Sequence, residues 1–256
     1  MALFAVLMCV NFASCSSDDD PTEEKEEGGV VVSGKKLVKI VSAGSYDNET
    51  YTFGYDDEGR LIEATEIEEE EGYKDTETYQ FIWGDDAIKV VEKGTGYTES
   101  FTLTLKNGLV QNNHNGNLFT YNNANKFIKC TSDYEDETFS AIWDGDKLVS
   151  ISEYNNEATL TYGQSCKKGY FPFIATMMAN DGDAILFMAH PEIAGMRTTQ
   201  LPTSITWTYR GYYGTESETS TMEYEFDKEG YITKITVKET DSDGGTSTTT
   251  YTLTWE

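Results

Sequence analysis

The chain contains two histidines, His114 and His190, so imidazole chemistry has few places to start. His114 lies in NNHNGN, a polar turn, and is expected to be exposed and idle. His190 closes an apolar stretch, where capping or packing is the default. Neither belongs to a cluster at metal-ligand spacing, which argues against zinc. Three acid-rich loops could offer oxygens to calcium: WDGDK (143–147), NDGDA (180–184) and DSDGG (241–245). Calcium takes roughly six to eight oxygens, and an EF-type loop needs a glutamate at its twelfth position. None of the three supplies it, and turn formation alone explains Asp and Gly there.

Carboxylates are so abundant, 45 Asp and Glu, that a pair at glycosidase spacing carries no signal. No nucleophile elbow, phosphate loop or convincing Cys/His pair is present. No catalytic residue, metal or cofactor is therefore assigned. The stretch that invites a ligand is YRGYYG (209–214). Arg210, Tyr212 and Tyr213 follow a strand end between glycines, where the rings could stack on a sugar or anchor a protein. The alternative is that these tyrosines only cover the edge of the core.

The net charge is −26, and 19 Lys and Arg leave little for a basic patch, so nucleic acid is an improbable partner. Residues 2–14 are apolar but too short to span a bilayer, and they end in small residues before Cys15. This reads as a signal peptide over 1–14. Residues 15–30 then form a cysteine-led acidic segment, expected to be a disordered tether. Cys130 and Cys166 remain in the body of the chain. Cys130 falls at a strand position equivalent to Ile151 and Ile235, so a buried free thiol is expected there.

The elements that must carry these residues are strands. Aromatic and aliphatic residues alternate in trios such as Tyr51, Phe53, Tyr55; Tyr79, Phe81, Trp83; Ile205, Trp207, Tyr209; and Met222, Tyr224, Phe226. Residues two apart share one face of a strand. Turns follow: DDEG (56–59) and DKEG (227–230) need positive φ at Gly59 and Gly230, and NG (107–108) is a two-residue hairpin. Gly72, in the acidic stretch EIEEEEGY, is expected to be less constrained. A second strand begins after each turn, at Leu61, Ile62, Ala64; Ile88, Val91; Phe127, Ile128, Cys130; Leu148, Val149, Ile151; and Ile232, Ile235.

The unit is a β-hairpin repeated across 31–256. About sixteen strands are counted, too many for a flat sheet with one apolar face. The fold class is all-β: an antiparallel meander curled into an open half-barrel-like sheet, aromatic face inward. An insertion at about 165–200 lacks alternation. Two short helices are expected in it, near 173–180 and 184–190, broken by Asp181–Gly182–Asp183 and packed on the concave face.

YDDEGRL (55–61) resembles the YD repeat of RHS-type proteins, with degenerate copies at 83–91, 121–130, 143–151 and 226–235. The apolar run ending at Cys15 resembles a bacterial lipobox, and CSSDDD resembles the export signal of Bacteroidetes lipoproteins. The chain from Cys15 onward is similar to Bacteroidetes surface lipoproteins of unknown function. The resemblance implies lipidation at Cys15, an outer-membrane anchor and display on the outer cell surface. The function expected is a non-catalytic binding module for glycan or protein, acting as a monomer. A carrier of a lipid or hydrophobic molecule, whose oily concavity a helix would cover, and a polysaccharide-acting enzyme are the alternatives.

Overall fold

The computed structural model describes residues 34–256 apart from 45–47, 71, 132–137, 155, 178, 180 and 212–213. The signal peptide, Cys15 and the acidic segment lie outside the described residues. The strands are β1 Leu37–Ala43, β2 Asn48–Tyr55, β3 Leu61–Glu70, β4 Tyr73–Trp83, β5 Ala87–Gly94, β6 Tyr97–Lys106, β7 Leu109–Val110 and β8 Leu118–Tyr121. They continue as β9 Phe127–Thr131, β10 Thr138–Asp144, β11 Lys147–Glu153, β12 Asn156–Ser165, β13 Gln200–Gly211, β14 Gly214–Phe226, β15 Ile232–Thr240 and β16 Thr246–Trp255. All are antiparallel, and each pairs with its neighbours in the chain except β7 and β8, which are the edges of the sheet. The ends of the chain meet where β1 pairs with β16.

The sheet curls further than a half-barrel. Its two edges, β7 and β8, meet through the bridge Asn112–Leu118, and the Phe119 amide donates to the Gln111 carbonyl (2.9 Å). The result is a nearly closed sixteen-stranded barrel. Its wall is apolar inside (Phe53, Tyr79, Phe81, Leu103, Ile151, Ile235), while Thr, Ser, Lys and Glu dominate outside.

One local device recurs around one rim. The second or third residue of a strand is a bulge at Val38, Ile62, Ile128, Val149 and Thr233, and Thr203 is bulged near the start of β13. An extra residue breaks the two-residue alternation, so Leu61 and Ala64 both face inward although three apart, as do Phe127 and Cys130. The carbonyl just before the bulge then accepts a hydrogen bond from an aromatic on a neighbouring strand. Trp83 donates to Leu61 (2.7 Å), Trp143 to Phe127 (2.6 Å), Tyr162 to Leu148 (2.7 Å) and Trp255 to Ile232 (2.7 Å). Tyr55 and Tyr224 do the same for Leu37 and Pro202. Phenylalanine could not, having no donor.

A cation covers several of these rings: Lys36 lies over Tyr55, and Lys126 over Trp143 at 4.7 Å. The hairpin WGDDAI departs from the pattern as a whole. It has no bulge, Ile88 and Val90 rather than Val91 face inward, and Leu105 stands where the next aromatic would be.

The turns at this rim share a second device. Asp56 and Asp227 each accept the amide of the residue four on, with Gly59 (φ 83°) and Gly230 (φ 98°) in the left-handed region as expected. Asn122 and Asn125 (φ 57°) build the same turn with neither Asp nor Gly. Two expectations are corrected. Gly72 also has positive φ (84°), because its hairpin needs it whatever the surrounding charge. Phe226 is exposed at the rim, and Tyr224 takes the inward donor role.

The insertion between β12 and β13 enters through this same rim and plugs the barrel. A 3-10 turn, Pro172–Met177, leads to helix α1, Asp181–Ala189. Asp181–Gly182–Asp183 begins α1 rather than breaking the helices, since acidic residues are favoured in a first turn. Gly182 lets the helix approach the wall: a Cβ there would lie 3.1 Å from Phe101 and 3.3 Å from Tyr79. Past α1, the carbonyls of Ile193 and Gly195 accept the amides of Val110 and Phe127, on either side of the β7–β8 seam. Cys130 and Cys166 are free and buried, as expected for Cys130; burial pushes each thiol up to about 11.

Candidate functional site

Both histidines hold the plug. His190, at the end of α1, has its Nε2 occupied by the Leu61 amide (3.0 Å), so its proton sits on Nδ1 and is donated to Glu192 (2.9 Å). A Glu–His pair of this kind could serve a nucleophile, but no ring nitrogen is left to act as base. At the other end of α1, His114 meets Asp183 Oδ2 through its amide (2.8 Å) and through Nδ1 (2.9 Å). His114 is therefore partly buried and engaged, not idle; the fold brings residue 183 across to the polar turn, which local sequence cannot report.

The acid-rich loops are also spoken for. Asp146 of WDGDK binds Lys126 Nζ (2.6 Å) and the Thr199 amide (2.9 Å) and hydroxyl (3.0 Å), fastening the chain as it leaves the plug. Burial alone would raise its carboxyl, but Lys126 and Thr199 outweigh that and hold it below the usual carboxylate range. Asp241 of DSDGG caps its own turn through the Asp243 and Gly245 amides. Among the described residues, no group of three or more His, Cys, Asp or Glu could hold a metal ion.

At the far rim the interior changes character. The inward positions that carry rings at the plugged end carry carboxylates and hydroxyls here. Tyr79 donates to Glu77 (2.6 Å), Tyr51 to Glu49 (2.9 Å) and Tyr97 to Glu92 (2.7 Å). Glu66 lies among them. Burial, then the charges of Glu49 and Glu77, push its carboxyl up to about 7 against the pull of the Tyr51 and Tyr79 hydroxyls.

Across the barrel, still on the far half, lies an open cleft of about 570 Å³ between β13, β14, β15 and β16. Trp207 and Tyr209, two apart on β13, stand on its face with rings parallel to within 16° and centroids 6.4 Å apart. Glu218, Ser220, Glu239, Thr240, Thr246 and Ser247 complete its polar lining with Asp241 at the margin. The Tyr209 hydroxyl points toward Glu218 (3.5 Å) and Ser247 donates to Glu239 (3.1 Å). Burial and the charge of Glu218 raise the Tyr209 hydroxyl above its ordinary value.

Of the candidate ligand residues, Tyr212 and Tyr213 lie outside the described residues. Arg210 is described: it alternates with Tyr209, takes the outer face of β13, and pairs with Glu157 (3.3 Å). Trp207 was legible only as one of an inward trio, because the cleft exists through the short side chains of strands far along the chain.

The fold has relatives among solved structures. A porin-like protein from Bacteroides uniformis superposes with a TM-score of 0.61 at 18% identity, over 86% of this chain and 98% of that one. A porin-like protein from Bacteroides vulgatus gives a TM-score of 0.41 at 12% identity, over 87% and 99%. The first likeness establishes a shared fold. No family model and no curated protein matches the chain.

Proposed function

We propose that this chain is an exported lipoprotein, anchored through Cys15 and displayed on the outer surface of a Bacteroidetes cell. There its barrel serves as a monomeric, non-catalytic binding module for glycan or protein. The observation that carries the reading is the placement of the two ends. The chain enters at the plugged rim, where Lys36 and Glu256 pair, and the aromatic cleft opens at the opposite rim. An anchor upstream of residue 34 would leave the cleft facing away from the bilayer.

The neighbour described as porin-like invites a membrane pore, but the lining here is reversed. A membrane barrel carries an apolar band outside and polar residues within. This wall buries Leu, Ile, Phe and Tyr inside and presents Thr, Lys and Glu outside, which suits water on the outer face. A hydrophobic cargo also has little room, since Ile185, Leu186, Phe187 and Met188 of α1 are buried against the wall. We assign the turn at Tyr55–Leu61 to the YD repeats by likeness, with the turns after Tyr121 and Phe226 as degenerate copies.

The test is to express the full chain in a Bacteroides host and label intact cells with an impermeant amine reagent. Labelling and shaving by external protease are expected for the native chain, and release of soluble protein for Cys15→Ala. A chain that stays protected, or is unaffected by Cys15→Ala, would overturn the reading.

A further inference from the structure

The far cleft has a composition that points to a class of ligand. Its apolar part is the pair of parallel rings of Trp207 and Tyr209, which form a platform along β13. Its polar part consists of hydroxyls and carboxylates: Ser220, Ser247, Glu218 and Glu239. Among the described residues, no Lys or Arg lines it. An anionic ligand would therefore meet only carboxylates, and juxtaposed like charges disfavour it.

Two classes remain, neutral polyols and cations. A lone ammonium or guanidinium needs one ring face and a carboxylate. It would leave the run of hydroxyls and the second ring unused. A saccharide uses the whole surface: its C–H faces lie on the rings, and its hydroxyls donate to Glu218 and Glu239 while exchanging hydrogen bonds with Ser220 and Ser247. At about 570 Å³, the cleft is also of a size that holds an extended small ligand rather than a single functional group.

We infer that the cleft at Trp207 and Tyr209 binds an uncharged saccharide and excludes acidic ones. This rests on the binding-module reading above but not on surface display, which the labelling experiment tests separately. The probes are a panel of neutral gluco-, galacto-, manno- and xylo-oligosaccharides, matched oligouronates, and spermidine. Each is titrated into the full chain by calorimetry, with Trp fluorescence in parallel. At least one neutral member should bind, and its matched uronate should bind at least tenfold more weakly.

Trp207→Ala should weaken the neutral ligand tenfold or more. Tyr209→Ala, at a more exposed ring, guards against a Trp207→Ala protein that fails to fold, and should weaken it severalfold. Arg210→Ala, on the outer face of the same strand, should leave binding unchanged. A panel without a neutral binder, equal binding of the uronate, binding indifferent to both ring substitutions, or spermidine as the sole binder would each overturn the assignment.

Discussion

The plugged half and the open half of the barrel are made from the same strands, yet they handle polar atoms in opposite ways. At the plugged rim each inward carbonyl freed by a bulge receives an indole or phenol donor, and each plug terminus has a carboxylate–imidazole tie, although Asp183 Oδ1 and Arg197 Nε are buried in the plug without a partner among the described residues. At the open rim the carboxylates share tyrosine hydroxyls and crowd one another, as at Glu49, Glu66 and Glu77. Buried polar groups stabilise when satisfied and cost when they are not. The first half should therefore hold most of the stability, and the second should tolerate change while carrying the binding chemistry.

The contrast breaks most sharply at Gly195. It has φ 65°, and a Cβ there would overlap the Asn125 carbonyl and lie 2.7 Å from the Phe127 amide. Gly195→Ala should cost about 3–5 kcal/mol, strain and backbone overlap together. Urea titration would show it, and a loss under about 1 kcal/mol would mean that the plug is not locked to the seam. Asp146→Ala strands Lys126 and Thr199 and should cost about 2 kcal/mol, discounted for a side chain that is partly exposed.

The open half predicts the opposite sign. The Glu66 carboxyl titrates at about 7 in the folded chain against an ordinary value of 4.5, so the native state binds the extra proton between those values. The stability it contributes is full below about pH 4.5 and is lost as pH rises through 7. Glu66→Gln should therefore stabilise by about 1–2 kcal/mol at pH 8 and change little at pH 4.5. Thermal melts at the two pH values check this; equal shifts would show that Glu66 is not held among like charges. The smallest and cleanest comparison removes one hydroxyl from each half. Tyr162→Phe should cost about 1 kcal/mol, because it leaves the Leu148 carbonyl unpaired, and Tyr209→Phe less than about 0.5 kcal/mol. Equal costs would erase the distinction between the halves.

Much of the architecture was legible because hairpins are local. The strand count, the turns at Gly59 and Gly230, the NG hairpin and two short helical pieces follow from spacing and turn chemistry. The pairs Leu61–Ile62, Phe127–Ile128 and Leu148–Val149 were visible, but a bulge looks in sequence like a lapse in alternation. The turn at Asn122–Lys126 was legible as a degenerate copy of the repeat, although Asn stands there for both Asp and Gly. The roles of His114, His190 and Asp146 depend on partners 69, 129 and 53 residues away, and no local pattern encodes such distances. The cleft was opaque for the same reason. Trp207 was expected to face inward, but the space before it is left by Ser220 and Ser247.

The meeting of β1 and β16 has a kinetic side. Every other strand pairing joins strands consecutive in the chain, while Leu37–Trp255 spans nearly all of it. Hairpins of this kind zip up from local contacts, and the loop entropy of one long-range closure is left to the end. The wall should therefore assemble as two growing ribbons, β1 to β7 and β8 to β16, that join last where β1 meets β16. During that interval the facing edges of β1 and β16 are open to pairing with other chains. Joining residue 256 to residue 34 and opening the chain at 212–213 would make that closure a local hairpin, and the order of assembly would be rewritten while the finished barrel stayed the same.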